Sequence, residues 1–318
     1  MNKLTNVDYL KNYLRSHNFK PRDYMGQNFL IDEEVLAKII SVSELKSSDV
    51  VLEVGPGLGV LTQELLPRVK QVIAVEKDQK LLEILKLQFF PSPLWGEVPY
   101  LTGRRGLIKG GGSQESPPPN LPHSGGGTTP RNNLILINQD ILRFNLSEHI
   151  QEPYKVVANI PYYLTSKLFQ YLLEQKNKPT LIVLMIQKEV GERVVASAGD
   201  LSVLGISVQI YADVEIAASV SKTSFWPVPK VDSVVLKITP KNKYPEIQDR
   251  KLFFRIIKMA FSGKRKQIQN SLSHGLQISK EVVGDLLVRS EIKPSDRPQD
   301  LSIKQWIRLY ITIGLAKK

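Results

Sequence analysis

The segment Glu53-Val-Gly-Pro-Gly-Leu-Gly59 puts a carboxylate immediately ahead of a glycine-rich turn. Glycine lets the backbone bend tightly and lets a ligand approach with no Cβ in the way. Glu76 ends the next apolar run, where nucleoside-binding α/β folds hold ribose hydroxyls with an acid. Taken alone, the glycine run fits an ordinary tight turn. Strand, turn, helix, strand and acid in this order point instead to a bound nucleoside, with Gly55 and Gly57 at its closest approach. Glu53 suits a cationic ligand group better than the pyrophosphate a dinucleotide would bring to the helix N-terminus. S-adenosylmethionine carries an ammonium, a sulfonium and no phosphate, which favours it over NAD. Asp140, after a third apolar run, is placed to accept from an adenine amino group. The same residue fits a helix N-cap before Ile141, and both roles stay open.

Asn159-Ile160-Pro161-Tyr162 follows a fourth apolar run, at the carboxyl end of a strand, where open α/β sheets put their sites. An exocyclic adenine amine is a poor nucleophile because its lone pair is delocalised into the ring. The Asn159 amide oxygen and the Ile160 carbonyl can accept its two N–H bonds and favour a more tetrahedral nitrogen. The Tyr162 ring can hold a flipped base by stacking, and Pro161 stiffens the turn. A plain strand-to-helix turn would also accommodate these residues.

The elements that must carry these groups alternate. Asp49–Val54, Val72–Glu76, Leu134–Asn138, Lys155–Ala158 and Leu181–Ile186 read as buried strands. Val60–Leu66, Lys80–Phe90 and Ser166–Glu174 read as helices between them. The fold class predicted is α/β, an open, mostly parallel sheet covered on both faces. Ser207–Ala217 and Ser233–Thr239 are expected to close it as an antiparallel strand pair. After Pro240 only helical periodicity remains, at Lys251–Met259, Glu281–Val288 and Ile303–Ile313, so a small all-α C-terminal domain is predicted over 244–318. The first domain then spans 1–243, interrupted by 91–133. That stretch is crowded with Gly and Pro, lacks apolar periodicity and is expected to be a disordered insertion.

The chain has 318 residues, 43 Lys plus Arg against 31 Asp plus Glu, and a formal charge of +12. A polyanionic partner and a solubilising surface charge both fit that excess. The absence of cysteine excludes a disulfide framework and a Cys-type zinc site, and a reducing cytosol is expected. His17, His123, His149 and His274 are scattered, so no metal is expected. Leu4, Val7, Leu10 and Leu14 have helical spacing and no signal-peptide pattern, and no apolar run is long enough to span a bilayer, so a cytoplasmic protein is expected. Lys264-Arg265-Lys266, with Arg255 and Lys258 nearby, makes a basic face that is either solvated or set on phosphates.

These motifs together resemble the ribosomal RNA adenine dimethyltransferase family. Gly26-Gln-Asn-Phe-Leu30 is similar to its N-terminal cofactor motif, Glu53–Thr62 to its glycine motif and Asn159–Tyr162 to its catalytic loop. Gln187–Val190 and Phe225-Trp-Pro-Val-Pro-Lys-Val-Asp-Ser233 fit as well. Gly55-Pro-Gly57, Lys230–Ser233 and Ala260–Lys266 with Asn270–Leu272 resemble the small-subunit branch more than the erythromycin-resistance branch. The resemblance implies a Rossmann-like methyltransferase sheet with Asn28, Leu30, Gly55, Glu76, Asp140 and Asn159 at S-adenosylmethionine. It implies Asn159 and Tyr162 on the target base, and Phe225 packed on that base or closing the pocket, although core packing beside Pro227 and Pro229 also fits Phe225. The implied partner is small-subunit ribosomal RNA in a pre-30S-like particle, met by a monomer without a membrane. Two other functions share the motifs: a resistance-type large-subunit methyltransferase, and a non-catalytic ribosome-assembly or transcription factor.

Overall fold

The computed structural model describes residues 2–90, 100–102, 133–263 and 266–316. Its elements, in chain order, begin with α1 (Val7–Ser16), β1 (Phe29–Leu30), α2 (Glu33–Val42), β2 (Val50–Val54), α3 (Val60–Leu65), β3 (Gln71–Glu76) and α4 (Gln79–Phe89). Next come β4 (Tyr100–Thr102), β5 (Leu134–Asn138), α5 (Leu146–His149), β6 (Tyr154–Asn159), α6 (Thr165–Leu173), β7 (Leu181–Gln187), α7 (Lys188–Val195) and α8 (Val203–Gln209). The chain continues through β8 (Ala212–Val220), β9 (Phe225–Trp226), β10 (Ser233–Pro240), α9 (Arg250–Ala260), α10 (Ile268–Leu276), α11 (Lys280–Arg289) and α12 (Ile303–Ala316).

Among the described residues one sheet has eight strands in the order β4-β5-β3-β2-β6-β7-β10-β8. From β4 to β7 neighbouring strands pair in parallel. The strands read as near-continuous apolar runs because both faces are covered; every residue of β2 is buried, Glu53 included. The chain leaves β2 toward β3 and β5 on one side and returns at β6 on the other. The sheet therefore has its topological switch between β2 and β6, and a crevice opens at the carboxyl ends of those strands. A separate two-stranded ladder, β1 with β9, pairs Phe29 with Trp226 and Leu30 with Phe225.

The α/β fold class and the central strands agree with the sequence reading, but two local expectations need correction. Residues 207–209 belong to helix α8, and the strand starts only at Ala212. Ser202 caps that helix by accepting from the Gly205 amide at 3.0 Å, and burial of Ile206 and Val208 supplies the apolar content that resembled a strand. Within 91–133, Tyr100–Thr102 forms a short strand in parallel register with Leu136–Asn138. An open sheet edge recruits backbone amides whatever the side-chain pattern beyond it. Apart from these residues and Asn133, the 91–133 segment lies outside the described residues.

By compactness the chain forms two units, Met1–Gln187 with Ala217–Lys237, and Lys188–Ile216 with Ile238–Lys318. The second therefore gathers α7 and α8 as well as the C-terminal helices. Within it, the amides of Gly199 and Leu201 donate to the Gln299 carbonyl at 3.0 and 3.3 Å. Its core holds Phe253, Ile257, Leu287 and a fully buried Trp306, whose ring stacks on Phe261 at 5.8 Å.

Candidate active site

A pocket opens at the switch point, lined among others by Glu53, Gly55, Glu76, Asp140, Asn159 and Tyr162. Two glycines set the packing near it. Gly59 has φ +80°, and a Cβ there would sit 2.8 Å from the Phe89 ring and 2.9 Å from Leu85, so α3 and α4 close together only over glycine. Gly26, at φ +64°, lies where a Cβ would come within 3.3 Å of Pro161, which brings the N-terminal segment directly onto the turn after β6.

Glu53 is only 1% exposed. Its Oε2 accepts from Thr62 Oγ1 at 2.7 Å, while its Oε1 is buried with no partner. Burial pushes the carboxyl up to about 8 against the Thr62 hydrogen bond, with the Glu76 charge adding to the rise. An orphaned buried acceptor is costly unless a ligand donor meets it. Glu76, also buried, accepts from the Gly57 amide at 3.2 Å and the Asp78 amide at 2.8 Å. Burial lifts its carboxyl to about 7, opposed by those amides. Asp140 takes the N-cap role and also lines the pocket. Its Oδ1 caps the turn Ile141–Arg143 through the Leu142 amide, and its Oδ2 meets Lys77 Nζ at 3.0 Å while the residue lines the pocket. Partial burial raises the Asp140 carboxyl, but Lys77 and the Leu142 amide outweigh it and leave the group below its usual range.

The Asn159 Nδ2 donates to the Asn28 carbonyl at 3.4 Å. A carbonyl only accepts, so the amide nitrogen is committed there and the Asn159 Oδ1 remains as an acceptor for a ligand N–H. Ile160 is buried, and Pro161 caps the turn that carries Tyr162. Tyr162 is half-buried with its hydroxyl 3.0 Å from Ser233 Oγ; burial raises that hydroxyl's pKa, and the Ser233 bond works against the rise. Leu30 and Phe225 line the pocket and pair through backbone, and Phe225 is 2% exposed within the hydrophobic core, so core packing and pocket lining coincide.

Sequence reasoning missed Ser233 as a partner of Tyr162, Lys77 as a partner of Asp140, and Asp78, a buried carboxylate that binds Gln27 and Arg22. It also missed Tyr163, which lines the pocket at 57% exposure. Only the run Glu76-Lys-Asp78 hinted at two of them, and contacts across so many residues leave no local pattern. Of the basic run, Lys266 is exposed, and Lys264 and Arg265 lie outside the described residues. Among the described residues no His, Cys, Asp and Glu group is arranged to hold a metal, and no helix is long and apolar enough to cross a membrane.

The donor set fits S-adenosylmethionine. A buried unpartnered acceptor at Glu53 suits an ammonium, the Glu76 and Asp140 carboxylates suit nucleoside hydroxyl and amino groups, and glycine backbone lies between them.

The model of the ribosomal RNA adenine dimethylase family matches residues 17–94 and 127–314. The ribosomal RNA small subunit methyltransferase A of Dehalococcoides mccartyi is 37% identical over 94% of this chain and 90% of its own length. That of Bacillus cytotoxicus is 32% identical over 97% of each. Two solved structures share the fold: a dimethyladenosine transferase from Plasmodium falciparum (TM-score 0.68, 24% identity, 91% of this chain and 98% of that one) and the 23S rRNA methyltransferase ErmE (TM-score 0.63, 24% identity, 90% and 100%). By the extent of the family match and the identity to these relatives, the chain belongs to the ribosomal RNA adenine dimethylase family.

Proposed function

We propose that this chain dimethylates N6 of two adjacent adenosines near the 3′ end of small-subunit ribosomal RNA, using S-adenosylmethionine, during ribosome biogenesis. Family membership supports the reaction, and the names of the Dehalococcoides and Bacillus relatives support the small subunit as substrate. The single observation that carries the site assignment is the Asn159 amide, fixed by Asn28 with its oxygen left to accept.

S-adenosylmethionine, when bound, supplies an activated methyl group on a sulfonium. The protein's part is orientation, which can lower a barrier by several kcal/mol. Asn159 Oδ1 and the Ile160 carbonyl accept the two N–H bonds of the adenine amine and favour a nitrogen whose lone pair is free to attack. The Tyr162 ring stacks on the flipped base, with Phe225 packed on that base or closing the pocket. Glu53 receives the cationic end of the cofactor, Glu76 its ribose and Asp140 its adenine, with Asn28, Leu30, Gly55, Gly57 and Asn159 also at the cofactor. The attacking nitrogen becomes acidic only once alkylated, so no strong base is required and its proton passes to water. Lys264, Arg265 and Lys266 hold RNA phosphates. The proposal extends to a pre-30S-like particle as substrate, a monomeric enzyme and a cytoplasmic setting; the +12 charge supports the polyanionic partner. Methyl incorporation into unmethylated small subunits, mapped to the nucleotide, tests it.

A further inference from the structure

Asp78 stands outside every role assigned above, yet its carboxylate is buried and fully engaged. Its Oδ1 caps α4 by accepting from the Lys80 amide at 3.0 Å. Its Oδ2 takes Gln27 Nε2 at 2.8 Å and Arg22 Nη1 at 3.4 Å. The other end of the Gln27 amide, Oε1, accepts from the Arg22 backbone N–H at 2.8 Å and closes the turn 22–27 on itself. Within that turn Gly26 lies close against Pro161, and just past it the Asn28 carbonyl holds Asn159. On its other side, the Asp78 amide donates to Glu76 Oε1 at 2.8 Å, and Glu76 Oε2 takes the Gly57 amide. One hydrogen-bonded path therefore runs from the glycine turn through Glu76 and Asp78 to Gln27, and the next residue, Asn28, carries it on to Asn159.

We propose that Asp78 and Gln27 are positioning residues, a carboxylate–amide clamp that seats the 22–28 turn on the catalytic loop so that the cofactor acid Glu76 and the base-holding Asn159 are set together. The inference rests on the roles proposed for those two residues, but the clamp itself is a property of the chain without ligand. Its donors and acceptors match in one arrangement only. Asp78 only accepts, so Gln27 must present its NH2 there, and Gln27 Oε1 is thereby aimed at the Arg22 N–H.

That polarity makes the clamp testable by exchange. Asp78→Asn keeps a good helix cap, since Asn and Asp cap about equally well. It also sets an NH2 against the Gln27 NH2, and turning Gln27 over would set that NH2 against the Arg22 N–H. Gln27→Glu sets two carboxylates together. The double variant Asp78→Asn with Gln27→Glu restores the helix cap, the bond between 78 and 27 and the acceptor for the Arg22 backbone N–H with the amide and carboxylate exchanged; Arg22 Nη1 loses its acceptor at 78 but keeps a negative charge close by at 27.

The full-length chain and the three variants would be compared by hydrogen exchange of the 22–28 amides without cofactor, by equilibrium binding of S-adenosylmethionine, and by methyl transfer to unmethylated small subunits. Either single variant should exchange about tenfold faster over 22–28, bind S-adenosylmethionine roughly tenfold more weakly and lose kcat. The double variant should recover most of all three. A double variant no better than the worse single one, with unfolding temperatures equal, would overturn the clamp, as would single variants with wild-type exchange. A wild-type chain that shows the exchange pattern but methylates no small subunit would contradict the proposed substrate and leave the clamp standing.

Discussion

Tyr162 Oη lies 3.0 Å from Ser233 Oγ and ties the turn after β6 to the first residue of β10. Ser233 is fully buried, so its hydroxyl is a fixed point for the aromatic ring proposed to hold the target base. Removing it frees the ring to rotate without unfolding the sheet. Ser233→Ala is expected to lower kcat roughly fivefold, the equivalent of about 1 kcal/mol for one hydrogen bond, with S-adenosylmethionine affinity unchanged. Ser233→Thr, which keeps the hydroxyl, should stay near wild type. Steady-state kinetics on small subunits decide the matter, and an unaffected Ser233→Ala would remove Tyr162's tether from the account.

Asn159→Ala removes both the bond to the Asn28 carbonyl and the acceptor for the amine. Methyl transfer should fall on the order of 10²-fold or more while the fold survives. Asn159→Asp tests the geometry further, because it keeps an acceptor but sets a carboxylate oxygen against the Asn28 carbonyl. It should be impaired as well. Near-wild-type turnover in the alanine variant would sink the role given to Asn159.

Glu53, held near 8, and Glu76, held near 7, both sit above their ordinary value of 4.5. The folded chain therefore keeps protons that the unfolded chain has released. The contribution of these groups to stability is full below about pH 4 and is lost as pH rises through 7 and 8. Glu53→Gln should flatten the decline in unfolding temperature between about pH 5.5 and pH 8.5. Binding carries the opposite sign: a cation at Glu53 favours the ionised carboxylate, so S-adenosylmethionine affinity should rise from about pH 6 to pH 8 and do so less in Glu53→Gln. Thermal scans and calorimetry across that range measure both, and a pH profile identical in wild type and variant would contradict the assignment.

Neutralising Lys264, Arg265 and Lys266 together should weaken ribosome binding and flatten its salt dependence by roughly one counterion per lost phosphate contact. Cofactor affinity should be unchanged. Binding measured across a salt series would return the run to a solvated surface if the slope stayed the same.

The chain's local patterns expose its sheet and the heart of its site. The glycine turn, Glu76 and Asn159–Tyr162 are legible because each follows an apolar run, and the switch point brings the ends of those runs together. The supporting contacts are not legible. Ser233 finds Tyr162 through strand order, and Asp78 finds Gln27 across 51 positions, neither of which leaves a periodic trace. The strand expected over 207–217 starts late because a capped helix with buried Ile206 and Val208 carries the same apolar density. Gly26 looks like part of a motif in sequence; only the fold explains it, through the approach of Pro161.

The most direct test of the central claim is to incubate the protein with labelled S-adenosylmethionine and separated, unmethylated ribosomal subunits, then map the modified nucleotides by mass spectrometry. The account predicts label only in the small subunit, as N6,N6-dimethyladenosine at two adjacent adenosines near the 3′ end of its RNA. Label in the large subunit, or none in either, would contradict it.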